Sequence, residues 1–152
     1  MAYDVRNEIA APRQLAAVRA RTTQQNLSND IRRLLDNVWP ELRQQGVRTG
    51  CNVVVYFNSD DGTLTIEAGV ETPEGFEPTG TVTQAATPAG EVAVATHFGA
   101  YSELGRAYAA LEQWLDSKGR RAAGVNWEVY GDWDEDPAKV RTDVYFLLAA
   151  ED

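Results

Sequence analysis

The chain is poor in the residues that staple or metallate a protein. Its 152 residues include one cysteine, Cys51, and one histidine, His97. A lone cysteine cannot close an internal disulfide, which excludes a disulfide-stapled secreted scaffold. One Cys and one His cannot supply a structural zinc site, which typically takes four such ligands. Basic side chains are outnumbered, 14 against 23 acidic, for a formal net charge of −9. Broad phosphate-backbone binding needs a basic face and is not expected. No stretch approaches the roughly 18 apolar residues of a membrane span. The opening Met1-Ala2-Tyr3-Asp4 lacks the basic and apolar regions of a signal peptide. Neither a glycine-rich phosphate loop nor a dinucleotide fingerprint occurs. These absences predict a cytoplasmic protein with no metal and no cofactor. Its acidity favours cationic or neutral small partners over nucleic acid or membrane.

What is present suits one globular domain over residues 1–152, with 43% hydrophobic residues and four Trp, six Tyr and four Phe. A chain of this length buries roughly 70% of its unfolded surface. The main positive feature is an internal repeat, about 1–75 and 76–152. Ala11-Pro12 parallels Thr87-Pro88, and Ala17-Val18 parallels Ala93-Val94, both offset by 76. Trp39 parallels Trp114 at 75, and Gly50, Asn52, Val55 and Tyr56 match Gly124, Asn126, Val129 and Tyr130 at 74. A period this long points to two copies of a supersecondary unit.

Each half reads alike. Residues 3–9 and 15–22 have strand character around Ala10-Ala11-Pro12. Over residues 29–45, Ile31, Leu34, Leu35, Val38, Trp39 and Leu42 make a helical stripe that Gly46 ends. A β-rich run at 51–58, a turn at Asp60-Asp61-Gly62 and an alternating strand at 63–70 follow. The second half predicts strands at 79–85 and 91–98, and a helix capped by Ser102 with Leu104, Tyr108, Leu111 and Leu115, stopped at Gly119. Strands at 125–130 and 140–148 flank an acidic loop. The expected fold is α+β: duplicated strand-helix-strand-strand units form an antiparallel sheet of about eight strands, with two helices on one side and a ligand cleft between the halves.

The two copies differ most in chemistry where Val54 of the first meets Glu128 of the second. A carboxylate in a central strand is costly to bury unless paired or hydrogen-bonded, and such a group usually has a function. Period two nonetheless places Glu128 with Asn126 and Tyr130, opposite an apolar-looking Val125, Trp127 and Val129. The pattern alone therefore favours a solvent-facing Glu128.

The ordered set His97, Gly99, Tyr101, Tyr108, Trp114-Leu115, Trp127-Glu128-Val129-Tyr130 and Thr142-Asp143-Val144-Tyr145 resembles the GyrI-like small-molecule-binding domain, which also supplies effector-binding modules of multidrug-sensing regulators. The resemblance covers nearly the whole chain. It implies that Glu128 lies in an aromatic-lined cleft facing flat, often cationic, hydrophobic compounds. It also places Tyr101, Tyr130 and Tyr145 at the family's aromatic positions. Trp39, Tyr56 and Trp127 join them as candidates from the repeat and composition. No helix-turn-helix is visible and nothing before residue 1 could hold one, so direct nucleic-acid binding is not expected. Some stand-alone relatives hydrolyse cyclopropane-containing toxins, which gives an alternative in which Glu128 is the catalytic acid–base. The family name gives a third, an interaction protein inhibiting DNA gyrase. His97, without a Ser or Cys partner, reads as a structural strand-end residue. Glu67 reads as solvated, with a second carboxylate at the cleft rim as its alternative. Asp132, Asp134, Glu135 and Asp136 read as a solvated acidic turn.

Overall fold

The computed structural model describes residues 3–59, 61 and 63–151. Eight strands and two long helices follow in the order β1 (Val5–Ala10), β2 (Gln14–Thr22), α1 (Leu27–Gln45), β3 (Asn52–Asn58), β4 (Leu64–Glu71), β5 (Thr83–Ala86), β6 (Gly90–Phe98), α2 (Gly105–Lys118), β7 (Ala122–Tyr130) and β8 (Arg141–Leu148). The sheet is antiparallel throughout, ordered β1-β6-β8-β7-β3-β4-β2-β5. Exchanging β1–β4 for β5–β8 leaves this order unchanged, so the predicted α+β architecture is the one observed. The first strand of each half lies on the other half's edge: β1 pairs with β6, and β5 with β2.

That exchange explains why Ala10-Ala11-Pro12 is a crossing rather than a hairpin. The strands it joins do not pair with each other. Arg13 and Thr87, in the two crossings, are tied by Thr87 N–H to the Arg13 carbonyl at 3.1 Å and Arg13 N–H to Thr87 Oγ1 at 2.8 Å.

Both helices pack on one face. Leu34, Val38 and Leu42 of α1 meet Ala16, Val18, Val54, Ile66, Ala68 and Val70. Ala107, Leu111 and Leu115 of α2 meet Ala93, Ala95, Val144 and Phe146. The opposite face is also buried, because Leu15, Ala17, Val53, Val55, Val92, Val94, Trp127 and Val129 form one cluster. In strand order β2 and β8 are separated by β7, β3 and β4, yet Arg13, just before β2, reaches the Tyr145 hydroxyl of β8 at 3.4 Å, so the sheet is strongly curled, as right-handed twist favours. Gly69 permits close approach on the inside of that curl. A Cβ there would lie 2.2 Å from the Ala16 carbonyl oxygen. The alternation that Val125, Trp127 and Val129 displayed is thus real, but it does not make the face of Glu128 a solvent face.

Several sequence expectations need correction. Ser102 does not cap α2: residues Tyr101–Glu103 form a short 3-10 turn, and the helix starts at Gly105. The strand expected at 79–85 begins only at Thr83, since Thr79 and Val82 close a tight turn around Gly80 at φ 57°. Two repeat matches also shift. Leu34, Val38, Leu42 and Gly46 correspond to Ala107, Leu111, Leu115 and Gly119, an offset of 73, so Trp39 corresponds to Glu112 and not Trp114. Leu15 and Ala17 share a face with Val92 and Val94, an offset of 77, because a one-residue slip would turn side chains to the other face. Gly46 and Gly119 do end their helices in the left-handed conformation. Of the turn Asp60-Asp61-Gly62, Asp60 and Gly62 lie outside the described residues.

Candidate functional site

The two halves meet where β3 runs beside β7. Three rows face the helices there: Tyr56 opposite Asn126, Val54 opposite Glu128, and Asn52 opposite Tyr130. The repeat offset of 74 relates the members of the middle pair, so the centre of the seam carries a methyl-bearing side chain on one strand and a carboxylate on the other.

Glu128 is 6% exposed. Three phenols donate to it. Tyr56 Oη donates to Oε1 at 3.0 Å, Tyr130 Oη donates to the same oxygen, and Tyr108 Oη donates to Oε2. Each phenol arrives from a different place: Tyr56 from β3, Tyr130 from two residues along β7, and Tyr108 from the seam side of α2. Asn126 Nδ2 donates to Tyr108 Oη at 3.1 Å, so the helix residue is held from the strand below. On the other half Trp39 Nε1 donates to Asn52 Oδ1 at 3.0 Å, a parallel anchoring of α1 over β3.

The electrostatics are one-sided. Burial, and then the negative charge of Glu128, push the phenols of Tyr56, Tyr108 and Tyr130 well above their ordinary value. They stay neutral donors at any physiological pH. None of the ion pairs among the described residues involves Glu128. Among the described residues the buried Glu128 carboxyl is therefore met by three phenol hydroxyls and by no cationic side chain.

The structure sorts the sequence candidates by face. Glu128, Tyr56 and Tyr130 are in direct contact, Trp39 stands at the same seam, and Tyr101 meets the Tyr130 ring edge-on at 5.7 Å and 89° while remaining 48% exposed. Trp127 and Tyr145 do not join them. They lie on the opposite face, stacked on each other at 5.3 Å and 7°, because odd and even positions of a strand point to opposite sides. There Arg13 bridges Glu71 at 3.1 Å and donates to Tyr145 Oη at 3.4 Å. Glu67 also faces that way, paired with Arg19 at 3.3 Å, which removes it from the rim of the Glu128 site. His97 is buried, with Nε2 against the Ala100 carbonyl at 3.1 Å and Nδ1 against Tyr3 Oη at 2.8 Å. The carbonyl can only accept, so in the neutral ring Nε2 donates and Nδ1 accepts from Tyr3. Asp134 and Asp136 accept backbone N–H bonds from Asp136 and Ala138 and so shape their own loop.

Sequence reasoning missed Tyr108 and Asn126 as site residues. Asn126 was visible as a member of the Asn126, Glu128, Tyr130 face. Tyr108 was counted into the apolar stripe of α2, and only the packing angle of that helix turns its hydroxyl to the seam.

A single curled antiparallel sheet with two helices on one face and a polar centre at the junction of its halves defines a class of small α+β domain. Within that class, the chain belongs to the GyrI-like small-molecule-binding domain family, whose sequence pattern matches residues 4–149. No curated protein matches the sequence. Among solved structures, the C-terminal domain of EcmrR superposes with a TM-score of 0.77 at 18% identity, covering 98% of this chain and 99% of that one. In a DNA complex of EcmrR the score is 0.80, again at 18% identity, covering 96% of this chain, which spans only 57% of that longer one. SAV2435 bound to tetraphenylphosphonium gives 0.66 at 13% identity over 98% of this chain and 94% of that one. A hydrolase from Listeria innocua gives 0.62 at 12% identity over 97% and 93%. At these identities the likeness establishes the fold. No helix among the described residues is long and apolar enough to cross a membrane.

Proposed function

We propose that the chain binds hydrophobic organic cations at the seam between its halves, with Glu128 as the charge partner and Tyr56, Tyr101, Tyr108, Tyr130 and Trp39 as the aromatic surround. The observation that carries this reading is the buried Glu128 carboxylate, hydrogen-bonded by three phenols and ion-paired to none of the described cationic side chains. Desolvating a lone carboxylate is costly, and an arriving cation offsets that cost where a neutral ligand cannot. Aromatic faces add dispersion and cation–π attraction without desolvating further charge. The bound tetraphenylphosphonium of SAV2435 lends support as a ligand of this chemical type on the same fold.

The same carboxylate could in principle serve as an acid–base group toward water and a strained-ring substrate. Three phenols take three of its roughly four lone-pair sites, two on Oε1 and one on Oε2, and among the described residues no further polar side chain bonds to Glu128 to orient an attacking water. Cation binding is accordingly the preferred reading. The test is a titration with a fluorescent cationic dye of the wild type, Glu128→Gln and Glu128→Ala. Both variants should lose at least tenfold in affinity, about 1.4 kcal/mol. Unchanged affinity in both overturns the reading. Mass spectrometry for a Glu128-dependent water adduct of a cyclopropane-containing electrophile would instead support the hydrolase.

A further inference from the structure

Next to the charged centre lies a second polar group that the fold leaves unused. Thr142 of β8 is fully buried, and among the described residues its hydroxyl has no hydrogen-bond partner. Such groups are rare in folded proteins, because water satisfies them in the unfolded chain and nothing repays the loss here. The neighbours cannot supply a bond. Thr142 sits opposite Tyr130 on one side and His97 on the other. The Tyr130 hydroxyl is directed to Glu128 and makes no bond with Thr142, and both His97 nitrogens are engaged by Tyr3 and Ala100. The adjacent Asp143 points to the opposite face, where it takes Thr96 and Arg141.

Its position is what gives the orphan meaning. Glu128 is opposite Val144, so Thr142 is the diagonal neighbour of Glu128 across the β7–β8 pair and faces the helices as Glu128 does. Diagonal neighbours stand roughly 7–8 Å apart. Tyr130 and Val144 occupy the other two positions of that diagonal, and the exposed Tyr101 rests edge-on against the Tyr130 ring. A ligand that draws the Tyr130 hydroxyl off Glu128 exposes both groups to the same molecule.

We infer that Thr142 is a second anchor of the Glu128 site, donating a hydrogen bond to an ether or carbonyl oxygen carried about one aromatic ring away from the cationic centre of the ligand. The inference rests on the cation-binding reading and narrows its ligand class: a hydrophobic cation bearing such an acceptor is preferred over an equally large one without it.

The experiment is calorimetric titration with two matched cations, (4-ethoxybenzyl)triphenylphosphonium and (4-propylbenzyl)triphenylphosphonium, which differ by an oxygen against a methylene. The wild type should bind the ethoxy compound about 5–10-fold more tightly, the worth of one buried hydrogen bond. Thr142→Val should bring that ratio to near one while leaving the propyl compound's affinity in place, and Thr142→Ser should keep the preference. The free Thr142→Val protein should melt no lower than wild type. Equal affinities in the wild type, a preference surviving in Thr142→Val, or a clear fall in its melting temperature each overturn the inference. Equal affinities that still depend on Glu128 sink the Thr142 anchor alone. Absence of Glu128-dependent binding of either cation sinks the cation reading and this inference together.

Discussion

Val54 and Glu128 face each other directly across the β3–β7 seam, at corresponding places in the two halves. Val54 needs nothing there beyond the apolar packing it shares with Leu34, Val38 and Ile66. Glu128 in the same surroundings is met by three phenols, those of Tyr56, Tyr108 and Tyr130. The asymmetry of one side chain pair therefore organises the whole centre, since Tyr56 comes from the valine's own strand to serve the carboxylate.

The cost of that arrangement is readable in stability. Glu128→Gln removes the charge and keeps an acceptor for the phenols, whereas Glu128→Val copies the twin position and strands three hydroxyls. Comparing the two variants cancels the charge term. The valine variant should be less stable than the glutamine variant by about 1–3 kcal/mol, the penalty of unmade buried hydrogen bonds. Urea denaturation measures the difference. Equal stabilities would mean that the phenols find other partners.

Alkaline pH should attack the same cluster. The phenols of Tyr56, Tyr108 and Tyr130 are raised above the ordinary value of 10.0 by burial and by the charge of Glu128. Above pH 10 the unfolded chain releases these protons and the folded one holds them, so stability is fully present below pH 10 and falls as pH rises beyond it. Each such phenol contributes a loss of about 1.4 kcal/mol per pH unit. Tyrosinate absorbance should therefore appear in two stages, the second coinciding with loss of structure by circular dichroism. A single non-cooperative titration of all six tyrosines in a folded protein would contradict the burial of the cluster.

Much of this was legible in the order of residues. The helical stripe of α1, its end at Gly46 and the alternation of β4 all follow from periodicity and from the left-handed preference of glycine. The match of Asn52 and Tyr56 with Asn126 and Tyr130 located the seam correctly. Other features depend on three dimensions. Trp127 and Tyr145 lie near Glu128 in sequence motifs yet on the far side of the sheet, and their face is buried only because the sheet curls onto itself. Likewise Ser102 has the chemistry of a cap, but the 3-10 turn at Tyr101–Glu103 occupies its place and carries Tyr101 to Tyr130.

The curl itself can be tested at Gly69. A Cβ there would stand 2.2 Å from the Ala16 carbonyl oxygen and 2.7 Å from Ala17 Cβ, both of them fixed by β2 pairing. Gly69→Ala must therefore push β2 from β4, with a loss of more than about 4 kcal/mol or failure to fold. Gly105→Ala, at the first residue of α2 with nothing within 4 Å of the added methyl, should be neutral or stabilising by up to about 1 kcal/mol. Comparable behaviour of the two variants in thermal melts would exclude a close β2–β4 approach.

Access to Glu128 should be governed by Tyr108. The phenols of Tyr56 and Tyr130 share Oε1, but Tyr108 alone covers Oε2, and it does so from a helix rather than from the sheet. On the cation-binding reading proposed above, a cation approaching Oε2 from the helix side competes with this hydroxyl. Tyr108→Phe keeps the ring, its packing against Phe146 and its cation–π face, and deletes only the competitor. Hydrogen bonds to charged groups are worth about 1.5–3 kcal/mol, and a part of that returns as affinity because Asn126 also loses a partner. The apparent Kd of a hydrophobic cationic dye should fall by about fivefold or more in Tyr108→Phe. In Tyr108→Phe with Glu128→Gln the gain should vanish, since no carboxylate remains to be uncovered. A weaker dye affinity in the single variant would instead make the Tyr108 hydroxyl a ligand contact, and an undiminished gain in the double variant would remove Glu128 from the explanation.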